Sequence, residues 1–301
     1  MSVTQQLGQV KEVQLPQGTI RYRESGPDRE QSARPIVFVH GFLVNGDLWR
    51  HVAPLLSSDF RCIVPDWPLG SHELPMPEDA DLSPYGVARL VSDFIEALDL
   101  EDVVIVGNDS GGAISQILVT NHPQRIGALV LTPCDAFEKF PPFPYNALLA
   151  ISKIPGAPSV VWHSMRPKIG RLAAFRLLTK TGYDDEIVKS WIRPGLQDKS
   201  VRRDGVKFAA GVDSKITMET AKKLESLEIP AMMAWARDCT FFKFDLAERL
   251  AAAIPDSRIV EIPDAMTFLP EDQPEALAAA ITEFAGSNAV AGVRSKEESL
   301  A

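Results

Sequence analysis

The most constraining feature of the 301-residue sequence is a short apolar run that ends in a glycine-rich turn. Residues 103–106 are all β-branched (Val-Val-Ile-Val), which predicts a buried strand. The segment Gly107-Asn-Asp-Ser-Gly-Gly112 follows, and a helical pattern begins at Ala113. A strand, a sharp turn flanked by glycines and a helix are together typical of a nucleophile elbow, whose apex residue has a strained backbone.

The spacing of the glycines indicates which side chain lies at the apex of this turn. With Asp109 at the apex, one glycine stands two residues before it, and two glycines stand two and three residues after it. With Ser110 at the apex, the bulky Asn108 would stand where the turn needs a small residue. We therefore predict that Asp109 is a carboxylate nucleophile that faces a cavity. A phosphate-binding loop is disfavoured, because neither G-x-x-x-x-G-K nor G-x-G-x-x-G fits the segment.

Apolar runs alternate with helical patterns on both sides of the elbow, which predicts a mostly parallel sheet covered by helices on both faces. This alternation stops between residues 135 and 229, where helical patterns and prolines occur without a clear strand. We interpret that segment as an inserted helical cap. The predicted domains are a core of residues 1–134 and 230–286, the cap of residues 135–229, and a frayed C-terminal tail of residues 287–301.

Composition and charge narrow the classes of partner. A formal net charge of −9 and the lack of a lysine- and arginine-rich block disfavour nucleic acid. No apolar run is long enough to span a membrane, and the N-terminus does not resemble a signal peptide. Three widely spaced cysteines (Cys62, Cys134 and Cys239) suggest reduced thiols in a cytoplasmic protein. We expect a monomer or homodimer that acts on a small molecule.

Polar residues directly follow several of the predicted strands, and there the chain resembles the α/β-hydrolase superfamily over residues 20–286. The resemblance depends on His40-Gly41-Phe42, on the elbow and on Trp235-Ala-Arg-Asp238. An aspartate at the elbow is similar to the epoxide hydrolase and haloalkane dehalogenase branch. The resemblance implies an α/β-hydrolase fold and no cofactor or metal. It also implies that the carboxylate attacks an electrophilic carbon to form an alkyl–enzyme ester, which water then cleaves with the help of a histidine.

The resemblance assigns roles to individual residues and also identifies a departure from the pattern. Phe42 and Ser110 are expected to supply backbone N–H groups to an oxyanion or leaving-group site. Asp238 matches the acid that holds the histidine, but Thr267 occupies the position of the histidine itself. A threonine hydroxyl is not a base at neutral pH, so the sequence predicts slow or absent hydrolysis of an ester on Asp109.

Four residues of the predicted cap are candidates for contact with the substrate. Trp162 and His163 either face the pocket or pack the cap against the sheet. Tyr145 and Tyr183 are the cap tyrosines that match the pair with which epoxide hydrolases protonate an epoxide oxygen, and either of them can instead be structural.

The same resemblance separates the possible functions. Fluoroacetate dehalogenases bind a carboxylate with arginines one and four residues after the nucleophile, where this chain has Ser110 and Ala113, so small haloacids are disfavoured. We expect an enzyme that acts through Asp109 on a small, largely apolar epoxide- or alkyl-halide-like electrophile. The alternatives are a lyase, isomerase or cyclase that uses the same pocket, and a catalytically silent ligand-binding protein.

Overall fold

The computed structural model describes residues 7–27, 33–146, 154 and 156–298, with side chains up to residue 286. Its centre is one eight-stranded sheet with the strand order β1-β2-β4-β3-β5-β6-β7-β8. The first two strands are antiparallel to their neighbours, and the strands from β3 to β8 pair in parallel. The strands are β1 (Gln9–Leu15), β2 (Gly18–Ser25), β3 (Pro35–Val39), β4 (Arg61–Pro65), β5 (Val103–Asp109), β6 (Ile126–Cys134), β7 (Ala231–Trp235) and β8 (Ser257–Glu261).

Helices cover both faces of this sheet, as the unbroken apolar runs predict. The helices are α1 (Ala53–Leu56), α2 (Pro84–Ala97), α3 (Ser110–Asn121), α4 (Ala157–Ser164), α5 (Lys168–Phe175), α6 (Asp185–Gln197), α7 (Lys199–Gly211), α8 (Ser214–Leu224), α9 (Phe244–Ala253), α10 (Leu269–Asp272) and α11 (Pro274–Glu298). Side chains that alternate along β5 enter two different apolar clusters. Val103 and Ile105 pack on one face with α2 and α3, and Val104 and Val106 pack on the other with α1 and α11. The predicted fold class is therefore confirmed.

Five of the helices, α4 to α8, lie between β6 and β7 in the chain. No strand occurs in the described part of residues 135–229, in agreement with the helical character that the sequence predicts there. One attachment of this segment to the rest of the fold is Asp272, whose carboxylate accepts hydrogen bonds from the backbone N–H groups of Lys180 and Thr181 at 2.9 Å. The division into core and cap domains stays a prediction.

The last helix extends further than the sequence pattern suggests. α11 continues to Glu298, and the frayed tail predicted from residue 287 stays a prediction. Residues 287–298 contain no proline, the residue that most strongly breaks a helix. Among the described residues, no helix combines the length and the apolar character needed to cross a membrane.

Candidate active site

Asp109 is the last residue of β5, and Ser110 is the first residue of α3. Asp109 has φ 54° and ψ −131°, a strained conformation for a residue with a side chain. The neighbouring glycines make the turn possible. A Cβ atom at Gly107 would lie 2.5 Å from the Ser115 hydroxyl oxygen, and one at Gly112 would overlap Cys134. The local geometry is thus that of an elbow with Asp109 at the apex.

The side chain of Asp109 lies against the loop that follows β3. A Cβ atom at Gly41 would be 2.5 Å from Oδ2 of Asp109, so only glycine leaves room for the carboxyl group there. The backbone N–H of Ser110 donates a hydrogen bond to the same carboxyl group. Phe42 and Ser110 both line the cavity that Asp109 faces, and their assignment to an oxyanion site stays a prediction.

The cavity has a volume of about 620 Å³ and lies between the elbow and the helices that follow β6. Most of its wall is apolar, which suits a small hydrophobic ligand. Polar side chains in the wall are few, and none of the described lining residues is lysine, arginine or histidine. The polar lining residues are Asp109, Ser110, Asp135, Tyr145 and Ser164, and the apolar ones include Phe42, Phe140, Met165, Leu178, Phe208 and Phe241.

Asp135 is a second carboxyl group in this cavity, and our sequence reasoning assigned it no role. It directly follows β6, which pairs with β5, and its backbone N–H donates to the backbone carbonyl of Asp109 at 3.3 Å. The residue is 1% exposed, and its Oδ1 has no hydrogen-bond partner among the described residues. The signal available in the sequence was an aspartate after the strand next to the elbow strand.

The two carboxyl groups favour the protonated state because they are desolvated and close to each other. The carboxyl group of Asp109 can be reached from the cavity but is otherwise surrounded by protein, and burial raises its pKa to about 7, while the Ser110 N–H opposes the rise. Burial raises the pKa of Asp135 well above its ordinary range, and the charge of Asp109 raises it further, against a smaller opposing effect of the Ser110 side chain. Near neutral pH the pair therefore carries at most one negative charge.

The other titratable groups close to the pair are neutral. Burial raises the pKa of the Tyr145 hydroxyl and of the thiols of Cys134 and Cys239, and the charge of Asp109 contributes to each rise. None of these groups supplies a positive charge that would stabilise a second carboxylate. The cavity is therefore poorly suited to a second anion beside an ionised Asp109.

Thr267, the residue at the expected histidine position, does not line the cavity. It is fully buried, and its hydroxyl oxygen lies 3.5 Å from the sulfur of Cys239. Its backbone carbonyl accepts a hydrogen bond from Nδ2 of Asn108 at 2.7 Å, which ties the loop after β8 to the elbow strand. The structure therefore gives Thr267 a packing position beside the elbow.

Asp238 does not occupy the position expected of a catalytic acid. Its side chain is 55% exposed, and its carboxylate accepts a hydrogen bond from Nζ of Lys180 at 2.6 Å. The same ammonium group bonds Asp264 at 2.8 Å. The structure thus places Asp238 in a surface ion pair with Lys180, and Asp238 is not among the residues that line the cavity.

Of the four cap residues predicted to contact the substrate, only Tyr145 lines the cavity. Trp162 is 2% exposed and packs edge-on against Phe42, with ring centroids 6.4 Å apart. Nδ1 of His163 donates to the backbone carbonyl of Ser159 at 2.7 Å, one turn earlier in α4. The ring of Tyr183 packs against that of Phe175, with centroids 6.4 Å apart. Trp162 therefore packs against the loop after β3, and His163 and Tyr183 make their contacts within the helical segment, so these three residues follow the packing alternative.

No histidine replaces the missing one in the described part of the cavity wall. His40 is fully buried, and its Nε2 accepts the backbone N–H of Trp67 at 2.8 Å. Burial lowers the pKa of His40 to about 3, so the ring is neutral and supports the turn after β3. His72 is also buried, and its Nε2 lies 3.2 Å from the Asp204 carboxylate in α7. The described residues contain no group of three or more His, Cys, Asp or Glu side chains that could hold a metal ion.

Comparison with known proteins identifies hydrolases among the similar sequences. A haloalkane dehalogenase ("Haloalkane dehalogenase 2") of Mycobacterium bovis is 27% identical over 281 residues, which cover 89% of this chain and 92% of that protein. A 2-hydroxy-6-oxononadienedioate/2-hydroxy-6-oxononatrienedioate hydrolase of Cupriavidus pinatubonensis is 23% identical and covers 82% and 85% of the two chains.

The fold has close relatives among solved structures. The crystal structure of haloalkane dehalogenase DbeA from Bradyrhizobium elkani superposes with a TM-score of 0.76 at 16% identity, over 94% of this chain and 99% of that one. Residues 36–280 match the Alpha/beta hydrolase family. The chain therefore belongs to the α/β-hydrolase family.

Proposed function

We propose that this protein is an enzyme in which the carboxylate of Asp109 attacks a small, largely apolar electrophile and forms an ester with it. The observation that carries the proposal is the position of Asp109, at the apex of a strained turn on the floor of an apolar cavity. A buried carboxylate without a counter-cation is costly for the fold, which favours a chemical role over a structural one.

The surroundings of Asp109 suit a displacement at carbon. A carboxylate attacks without a base to activate it, provided that it is ionised, and a pKa of about 7 leaves a substantial ionised fraction at neutral pH. Apolar walls keep water away from the carboxylate and so strengthen its electrostatic interactions. The haloalkane dehalogenase relatives support an alkyl halide or a related electrophile as substrate class.

Cleavage of the ester is the weaker half of the proposed cycle. It needs a general base, which is typically worth about 10²–10⁴-fold in rate. No histidine lines the described part of the cavity, and Thr267 is buried against Cys239. We therefore include slow or absent hydrolysis of the ester in the proposal.

Intact-mass measurement after mixing with a small alkyl bromide tests the proposal. We expect a covalent adduct that maps to Asp109, that persists for many minutes, and that Asp109→Asn abolishes. Asp79→Asn, which changes an exposed aspartate, serves as the matched control. An adduct on another residue, or labelling that survives in Asp109→Asn, would show that Asp109 is not the nucleophile.

One observation favours a second candidate, in which the protein is an isomerase, lyase or cyclase. Asp109 and Asp135 form a carboxyl pair that shares a proton, and such a pair can move a proton on a bound substrate without an ester. The two candidates differ in solvent exchange. Incorporation of deuterium from D2O into a bound ketone, without any adduct from electrophiles, would favour the second candidate. The absence of both deuterium incorporation and an adduct would favour a silent binding protein.

The cellular setting is also part of the proposal. Cys62, Cys134 and Cys239 are free and buried, which suits a reducing compartment such as the cytoplasm. A monomer or homodimer that acts on a small molecule, without nucleic acid, membrane or cofactor, remains the proposed setting.

A further inference from the structure

We propose that Asp135 is a catalytic acid that donates a proton to the leaving oxygen while Asp109 attacks, and that the substrate class is therefore an epoxide. This inference rests on the proposed function, because it requires Asp109 to be the nucleophile. It adds Asp135 as a catalytic residue and selects the epoxide from the two classes of electrophile considered above.

The first support is the geometry of the pair. β5 and β6 are adjacent and parallel, so their carboxyl ends place Asp109 and Asp135 at the same edge of the sheet. The N–H of Asp135 bonds the carbonyl of Asp109 at 3.3 Å, and both side chains line the same cavity. Oδ1 of Asp135 is buried and has no partner among the described residues. A proton on this carboxyl group has no competing acceptor at Oδ1 among the described residues, and the residue lines the cavity in which a substrate would bind.

The second support is the charge of the pair. Two buried carboxyl groups that face no cation cannot both ionise at low cost, so one of them retains a proton at neutral pH. Burial raises the pKa of both groups, but the Ser110 N–H favours the charged form of Asp109, whereas Oδ1 of Asp135 is buried without a donor, so we place the shared proton on Asp135. Asp109 is then the ionised nucleophile and Asp135 the neutral acid.

The step balances in atoms and charge. One carboxylate oxygen of Asp109 forms a bond to an epoxide carbon, and the bond from that carbon to the ring oxygen breaks with its electron pair moving to the oxygen. The oxygen takes the proton of Asp135 and becomes a hydroxyl group. The product is a hydroxyalkyl ester on Asp109 and a carboxylate on Asp135. One negative charge is present before and after, so no second buried charge develops.

An epoxide uses this proton, whereas an alkyl halide does not. Opening the ring produces an alkoxide, a strong base that needs an acid in the transition state. A halide leaves as a weakly basic anion and takes no proton; it needs at most a hydrogen-bond donor, which Asp135→Asn still provides. The tyrosines are poorer donors: the Tyr145 hydroxyl donates to the Ala174 carbonyl at 3.3 Å, and Tyr183 is not among the residues that line the cavity.

A matched pair of probes tests the inference on the intact protein. Styrene oxide and styrene bromohydrin, with bromine on the terminal carbon, give the same hydroxyalkyl ester after attack at that carbon, and differ only in the leaving group. Labelling rates of the native protein, Asp135→Asn, Asp135→Glu and Tyr145→Phe are measured by intact mass at neutral pH.

We expect Asp135→Asn to slow labelling by the epoxide about 10²-fold or more while labelling by the bromohydrin is kept, because only the first reaction needs an acid. Retained bromohydrin labelling also shows that the variant is folded and that Asp109 is reactive. Asp135→Glu, which restores an acid, is expected to recover part of the epoxide rate.

Three results would overturn the inference. Equal loss of both labels in Asp135→Asn would mean that Asp135 only positions Asp109. Unchanged epoxide labelling in Asp135→Asn, or its loss in Tyr145→Phe alone, would assign the proton to another group. If bromohydrin labels Asp109 in these cases, the proposed function still stands. If neither probe labels Asp109 in the native protein, the proposed function fails and the inference fails with it.

Discussion

The backbone N–H of Asp135 donates a hydrogen bond to the backbone carbonyl of Asp109, and the side chains of the two residues line one cavity. The link comes from the pairing of β5 with β6, whose last residues oppose each other as Asp109 and Cys134. Two carboxyl groups are thus held in an apolar setting by the rigid centre of the sheet. The predictions below depend on this arrangement and on the space around it.

The first prediction concerns stability and pH. The folded-state pKa of Asp109 is about 7, above the model-peptide value of 3.8, so its neutral form stabilises the fold. This contribution is complete below about pH 4 and is lost as pH rises through about 7, since the unfolded chain then binds fewer protons than the folded one. The difference of about 3 pH units corresponds to a loss on the order of 4 kcal/mol.

Asp109→Asn removes this pH-dependent term. We expect the variant to become more stable than the native protein at pH 8, and the gap to narrow as the pH is lowered to 4. Urea denaturation between pH 4 and pH 8 measures the difference in free energy of unfolding between the two proteins. Asp79→Asn, which changes an exposed aspartate, is the control. A gap that does not change with pH would show that Asp109 ionises normally in the folded state.

The second prediction concerns the room left for the nucleophile. In Gly41→Ala, the new Cβ would lie 2.5 Å from Oδ2 and 2.8 Å from Cγ of Asp109, so the carboxyl group must move. Because small displacements of a reacting group cost large factors in rate, we expect at least about 10²-fold slower labelling of Asp109 by an alkyl bromide.

Gly286→Ala is the matched control for Gly41→Ala, because a Cβ there meets nothing within 4 Å. Its labelling rate is expected to equal that of the native protein. Thermal melts of both variants establish that they are folded. If Gly41→Ala is labelled at the native rate, the reactive group does not lie against the loop after β3, and the prediction is wrong.

The third prediction concerns the restored histidine. Thr267 is fully buried, so Thr267→His overpacks the loop beside the elbow and is expected to lower the free energy of unfolding by about 1–3 kcal/mol. Asp238 is bonded to Lys180 at the surface, so it is not available to orient the new ring. We therefore expect the ester on Asp109 to break down in this variant without any dependence on Asp238.

The double variant Thr267→His, Asp238→Asn provides the measurement. Adduct lifetimes by intact mass are expected to be the same in the single and double variants. A shorter lifetime in Thr267→His that Asp238→Asn reverses would show that Asp238 leaves Lys180 and holds the ring.

The fourth prediction concerns small haloacids. Ser110 and Ala113 stand at the two positions expected for arginines, and no lysine or arginine is among the described residues of the cavity wall. The carboxylate of a haloacetate would be repelled by the carboxylate of Asp109, and no described cation in the cavity wall would offset that repulsion. We expect no halide release from haloacetate above background. Steady release that Asp109→Ala abolishes would contradict this, and a neutral alkyl bromide is the positive control.

The local sequence determined the fold class and the elbow. Four consecutive β-branched residues predict a buried strand whatever its position in the sheet. The glycines around Asp109 reflect steric contacts with residues close to the turn. Such short-range constraints can be read without knowing the rest of the fold. Phe42 and Ser110 came instead from the resemblance to the α/β-hydrolase superfamily, and both line the cavity.

The tertiary structure decided which distant side chains join Asp109. Asp135 and Asp238 both follow strands in the sequence, but only β6 is adjacent to β5, whereas β7 lies one strand further away. Lys180, far from Asp238 in the chain, holds that carboxylate at the surface. Tyr145 and Tyr183 look equivalent in the sequence, and only the packing of the inserted helices brings the first to the cavity. Long-range pairing depends on strand order and helix packing, which local patterns do not encode.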